Sequence, residues 1–172
     1  MLGAAPALAA DDALSASANA AYLSQSAKKP GTIIRPSGLQ YRVLRSGVGK
    51  RPTGNDVAQI RYAMRRIDGV VVDSTTPSLP AAVAISTINM AGLSEALGLM
   101  REGDRWELVM PANLAFGPKG ALNGQVPPQQ TLVMDVTLVS TATPRPGEAP
   151  PPSVFSLWGD RYTQGAAITI RP

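Results

Sequence analysis

The chain has 172 residues, room for one domain of ordinary size plus tails. It is 44% hydrophobic and only 16% charged, with 16 Gly and 16 Pro, which points to many turns or to Pro-rich segments outside a core. There is no Cys and no His, which excludes disulfides, thiol nucleophiles, a Ser-His-Asp triad and Cys- or His-ligated metals. The net charge of +4 is mild. Its cations are scattered, densest at Lys28-Lys29 and Arg65-Arg66, which argues against a nucleic-acid partner. No run approaches the roughly 18 apolar residues of a membrane span.

In chain order, residues 1–10 (MLGAAPALAA) precede Asp11-Asp12. Ala7-Leu8-Ala9 has the small-x-small form of a signal-peptidase site, so this stretch reads as the end of a secretory signal. Residues 11–36 form an N-terminal helical arm and linker. Leu14, Ala18, Ala21 and Tyr22 fall at helical spacing, Lys28 and Lys29 sit where a helix end favours cations, and Pro30-Gly31 stops the run. Ser37 to Leu44 alternates as a half-buried strand with Leu39, Tyr41 and Val43 inward and Gln40 and Arg42 outward. Asp56 to Arg66 alternates again, with Val57, Ile60, Tyr62 and Met64 as its inward residues. Asp68-Gly69 signals a hairpin, Val70-Val71-Val72 starts the return strand, and Ala81 to Ile85 is a further short strand. Gly92 to Glu102 is a core helix with Leu93, Ala96, Leu97 and Met100 on one face, ended by Gly103-Asp104. Arg105 to Met110 and Thr131 to Val139 complete the strands, with a helical turn expected at Ala112 to Leu114. The core domain spans 37–140. A linker over 141–152 follows, with five Pro from Thr143 to Pro152, and then an apolar tail, 153–172, carrying Phe155, Leu157 and Trp158.

Three strings narrow the fold. The first is Ser37-Gly38-Leu39-Gln40-Tyr41 followed by Gly47 and Gly49. The second is Gly92-Leu93-Ser94-Glu95-Ala96-Leu97 running to Gly103-Asp104-Arg105-Trp106-Glu107-Leu108-Val109-Met110-Pro111. The third is Leu114-Ala115-Phe116-Gly117, then Gly124-Gln125-Val126-Pro127-Pro128, then Thr131-Leu132-Val133. In this order and at these distances they closely resemble the FKBP-type peptidyl-prolyl cis-trans isomerases. The secreted bacterial proteins of the macrophage infectivity potentiator kind are most similar, and Asn19 to Gly31 resembles their helix and Lys-Lys-Pro-Gly turn.

The resemblance implies an α+β fold, a twisted antiparallel sheet curled as a half-barrel around one short helix. It implies a rotamase acting on unfolded or proline-containing polypeptides in the periplasm or outside the cell, aiding protein folding, with no cofactor and no metal. It assigns catalytic positions to Tyr62, Asp73, Met90 (through its backbone N–H) and Phe116. Substrate-binding positions fall on Val72, Val83, Leu93, Val126 and Met134. Against the family pattern, aromatic residues are replaced at Val72, Val83, Leu93 and Met134, and the Tyr hydroxyl is missing at Phe116. A wider, softer cleft and weak turnover are therefore expected. The alternatives are an FKBP-fold chaperone or peptide-binding module with little isomerase activity, and a part of a larger assembly anchored by the tail. Homodimerisation through the N-terminal arm or the tail stays open.

Overall fold

Ser15 starts the first helix. In the computed structural model, which describes residues 12–149, its hydroxyl accepts a 3.2 Å hydrogen bond from the Ala18 N–H, an N-cap for α1 (Ala16–Ala27). Lys28 closes the helix by donating its N–H to the Gln25 and Ser26 carbonyls. The helix does not take in Leu14 or the two lysines that the helical spacing included: a separate 3-10 turn, Asp12–Leu14, holds Leu14, and the helix ends at Ala27. The secretory-signal reading of 1–10 and the tail 153–172 lie outside the described residues.

Polar bonds anchor α1 on its own domain. Asn19 is 6% exposed and donates to the carbonyls of Leu14 and Ser15 and to Gln130 Oε1. Its Oδ1 accepts the Thr131 N–H at 2.7 Å. Gln40, expected outward in water, is buried and donates from Nε2 to the Leu23 carbonyl of α1. A helix with a polar contact face leaves little trace in hydropathy, so this docking was invisible to periodicity.

Seven strands follow: β1 (Ile33–Ile34), β2 (Gln40–Arg45), β3 (Val57–Arg66), β4 (Val71–Ser74), β5 (Ala81–Ala84), β6 (Arg105–Met110) and β7 (Leu132–Ala142). They form one antiparallel sheet in the order β1-β2-β6-β7-β3-β4, and β5 also pairs with β3. The β3/β7 ladder is its spine, running from Val57↔Ala142 to Arg66↔Leu132. β7 passes its expected end at Val139, because a register shift opposite Gln59/Ile60 lets the polar stretch to Ala142 keep pairing.

Alternation sorts this sheet into two faces. Register places Tyr41, Trp106, Leu108, Met110, Met134, Val136, Tyr62 and Met64 on one of them. Against it packs α2 (Ala91–Leu99), burying Gly92, Leu93, Ala96 and Leu97. Gly92 permits the close approach: a Cβ there would lie 2.8 Å from Met110 Cγ and Sδ. Two expected inward residues are corrected. Ala58, fully buried, holds the inward place on β3 and Val57 lies on the opposite face, since 58, 60, 62 and 64 share a parity that 57 lacks. Val43 has the inward phase but is 43% exposed, lying near the sheet edge that two-residue β1 barely covers. The other face carries Arg61, Arg65, Arg105, Glu107 and Asp135. Among the described residues no helix is long and apolar enough to cross a membrane.

Candidate active site

The two polar site residues meet across a hairpin. Asp68-Gly69 turns the chain, with Gly69 at φ +88, and returns β4 beside β3 so that Asp73 stands opposite Met64. Tyr62 lies two residues before Met64 on the same face, a diagonal neighbour of Asp73. Its hydroxyl donates to Asp73 Oδ2 at 2.6 Å, and Asp73 Oδ1 accepts the Ser74 N–H at 2.9 Å. Thr75 pins the pair from below: its Oγ1 accepts the Tyr62 N–H, and its own N–H donates to the Tyr62 carbonyl.

Burial, and then the bond to the Asp73 carboxylate, pushes the Tyr62 hydroxyl far above its ordinary value, so it stays protonated. Burial also raises the Asp73 carboxyl, against the opposing bonds from Tyr62 and Ser74. The site thus holds a permanent O–H donor against a carboxylate that gains a proton more readily than an exposed one.

The apolar positions converge on the same cluster. Val83 (from β5), Met90, Leu93, Val126 and Met134 are each at most 1% exposed, and Val72 and Phe116 pack on them half-buried. Leu93 is in the first turn of α2. Met90 is the residue just before that helix, and its backbone N–H makes no hydrogen bond among the described residues. Phe116 follows a 3-10 turn, Ala112–Leu114, where the sequence placed one. Val126 is held by a bridge to Ala121, and Gly120 beside it has φ +66 and no room for a Cβ, which would overlap the Val126 carbonyl. Between them the turn Leu122–Gly124 carries φ of +56 and +53 at Leu122 and Asn123, costly for a buried Leu.

One residue of this floor was missed. Met64 was read only as inward, yet register puts it between Asp73 on β4 and Met134 on β7, fully buried. Alternation carries the signal for its face, and only strand pairing carries its neighbours. Met64 also bears on the expected wide cleft. Met64, Met90, Leu93 and Met134 are all buried, and the unbranched thioethers of the three methionines are side chains that adapt to the space left by missing aromatic rings. Among the described residues no three metal-ligating side chains come together.

The family model for FKBP-type peptidyl-prolyl cis-trans isomerases matches residues 49–139, over half of the chain and all of this cluster. This chain belongs to that family. The FKBP domain is 40% identical over 121 residues to "Outer membrane protein MIP" of Legionella longbeachae, covering 70% of this chain and 51% of that protein. It is 40% identical over 119 residues to the FKBP-type 22 kDa peptidyl-prolyl cis-trans isomerase of Escherichia coli K12, covering 69% and 57%. The chain therefore spans about half the length of these curated relatives. Among solved structures, FkpA from Escherichia coli superposes with a TM-score of 0.69 at 30% identity, covering 74% of this chain and 59% of that one. A peptidyl-prolyl cis-trans isomerase from Pseudomonas syringae pv. tomato gives 0.68 at 26% identity, covering 80% and 99%. The expected α+β architecture is thus the observed one: an FKBP sheet, open rather than closed, packed on α2, with α1 added on the other side.

Proposed function

We propose that this FKBP domain rotates X-Pro bonds in exported polypeptides, slowly, using Tyr62, Asp73, the Met90 N–H and Phe116 around an apolar floor of Val72, Val83, Leu93, Val126 and Met134. Rotation faces a barrier of about 18–20 kcal/mol and needs neither a nucleophile nor a proton relay. The twisted transition state has lost its amide dipole, so an apolar, water-poor surface favours it over the planar ground state. The observation that carries the reading is Met90: a backbone donor with no acceptor among the described residues, beside Leu93 and in one cluster with Tyr62. It suits a substrate carbonyl, with the Tyr62–Asp73 pair fixing the polar wall.

The replaced aromatics favour a second reading, a peptide-holding module with little turnover, since Leu93 and Met134 grip a proline ring less well than flat rings do. Isomerisation of a proline peptide and suppression of client aggregation, measured on one preparation, separate the two. Catalysed exchange that disappears with Asp73→Ala supports the isomerase. Aggregation suppression without acceleration transfers the function to the second reading. The Legionella relative's name supports an exported location. Mass spectrometry of protein from its native cell is expected to find an N-terminus near Ala9 or Ala10. Retention of Met1 in cytosolic protein overturns the export claim.

A further inference from the structure

The sheet face turned away from α2 holds a groove of about 420 Å³, lined by Arg45, Arg61, Arg105, Asp135, Thr137 and Pro77 among others. Register explains the arginines. Arg61 pairs with Thr137, Thr137 with Arg105, and Arg105 with Arg45, so three guanidinium-bearing residues lie in one row across β3, β7, β6 and β2. The register shift after Val43 is what brings Arg45 onto this row. Like charges set across neighbouring strands oppose folding, and among the described residues only one carboxylate pairs with this row. Asp135 is taken by Arg105 in a bidentate pair at 2.9 and 2.7 Å. The next carboxylate on this face, Glu107, is held by Arg42 and Arg65.

Arg45 and Arg61 have no carboxylate partner among the described residues. Each is tethered by its Nε alone, Arg45 to the Gly103 carbonyl and Arg61 to the Pro77 carbonyl. That leaves the terminal nitrogens of both guanidiniums for an outside acceptor. We propose that this groove docks an acidic, extended polypeptide segment, a second contact for a client protein behind the isomerase cleft.

Spacing and charge select that occupant. Three inter-strand steps span about 14 Å, close to the reach of four extended residues. Carboxylates at positions i and i+4 lie on one side of an extended chain, so they meet Arg61 and Arg45 together. The planar fork of arginine fits carboxylates in pairs. The terminal stretches of the given sequence are poor in carboxylates: residues 1–11 hold only Asp11, and residues 150–172 only Asp160. A second copy's domain does not supply the segment, because the domain's carboxylates from Asp56 to Asp135 are bound by its own groups.

The test titrates the full chain with a proline-free labelled peptide bearing Glu at positions 1, 3 and 5 of an extended five-residue stretch, and with its Gln counterpart. Binding of the Glu peptide that weakens as salt rises, with about a tenfold loss in Arg45→Glu or Arg61→Glu, supports the proposal. Arg45→Gln and Arg61→Gln repeat the test without reversing charge, and circular dichroism melting confirms each fold. Arg51→Glu, an exposed loop change of equal charge, is expected to leave affinity as it was. Equal losses in Arg51→Glu, equal affinity for the Gln peptide, or binding only to phosphatidylglycerol vesicles each overturn it. Because the peptide contains no proline, the outcome is independent of the isomerase reading.

Discussion

Removing one oxygen tests the polar wall of the cleft. Tyr62→Phe deletes the donor of a 2.6 Å bond to Asp73 and leaves the ring, itself 7% exposed, in place. Hydrogen bonds to charged groups contribute about 1.5–3 kcal/mol. Asp73 is only half-buried, so water takes over part of the lost bond, and the lower end, about 1.5 kcal/mol of stability, is expected. If the bond aims the carboxylate at bound peptide, kcat/KM falls about tenfold, the equivalent of about 1.4 kcal/mol. The cycle of Tyr62→Phe, Asp73→Asn and the double variant isolates the pair. Denaturant unfolding and a proline-peptide exchange assay are each expected to give a coupling of about 1–2 kcal/mol. Activity losses that add to within about 0.5 kcal/mol would refute the claim that the two side chains act as one unit.

The raised carboxyl of Asp73 predicts an acid limb in kcat/KM beginning above the ordinary Asp range, flattened in Asp73→Asn; a limb that persists unchanged in that variant assigns it elsewhere. Stability has the opposite sign at Asp56 and Glu102, which bonds from Thr143 and Thr53, and from Thr141, hold below their usual values. That support is present above the unfolded pKa of about 4 and lost as pH falls through the folded values, so Thr143→Val is expected to lower Tm at pH 7 and to shrink the difference toward pH 2. Asn19→Ala strands the buried Thr131 N–H and is expected to cost about 1–3 kcal/mol in urea unfolding, with helical signal from α1 lost first. Leu93→Trp enlarges a fully buried side chain and is expected to cost about 1–3 kcal/mol while raising isomerase turnover; flat activity in a folded variant shows that the aliphatic floor is not limiting. Truncation after Thr143 is expected to leave the sheet folded and to alter solubility or association, read by light scattering; no change, with solvent-like Trp158 emission in the intact chain, ends the docking role of the tail.

What the sequence by itself determined is local. A 3.6-residue period marked α2, although the helix ends at Leu99 and not at the expected Glu102, because Met100 is already extended; Asp68-Gly69 marked the hairpin, and the resemblance carried Tyr62, Asp73 and the apolar positions to one place. These signals survive because each depends on a few neighbouring residues, or on a motif whose parts stand in order. What only tertiary structure decided is pairing. Alternation says which face a strand residue takes but not which strand lies beside it. So Met64 was legible as inward but not as the neighbour of Asp73 and Met134, and no pattern along the chain aligned Arg45, Arg105 and Arg61. Polar contacts at a distance are hidden for the same reason. Gln40 reads as an outward side chain and no pattern pairs Asn19, until Leu23 and Thr131, 17 and 112 residues away, supply the bonds that satisfy them when buried.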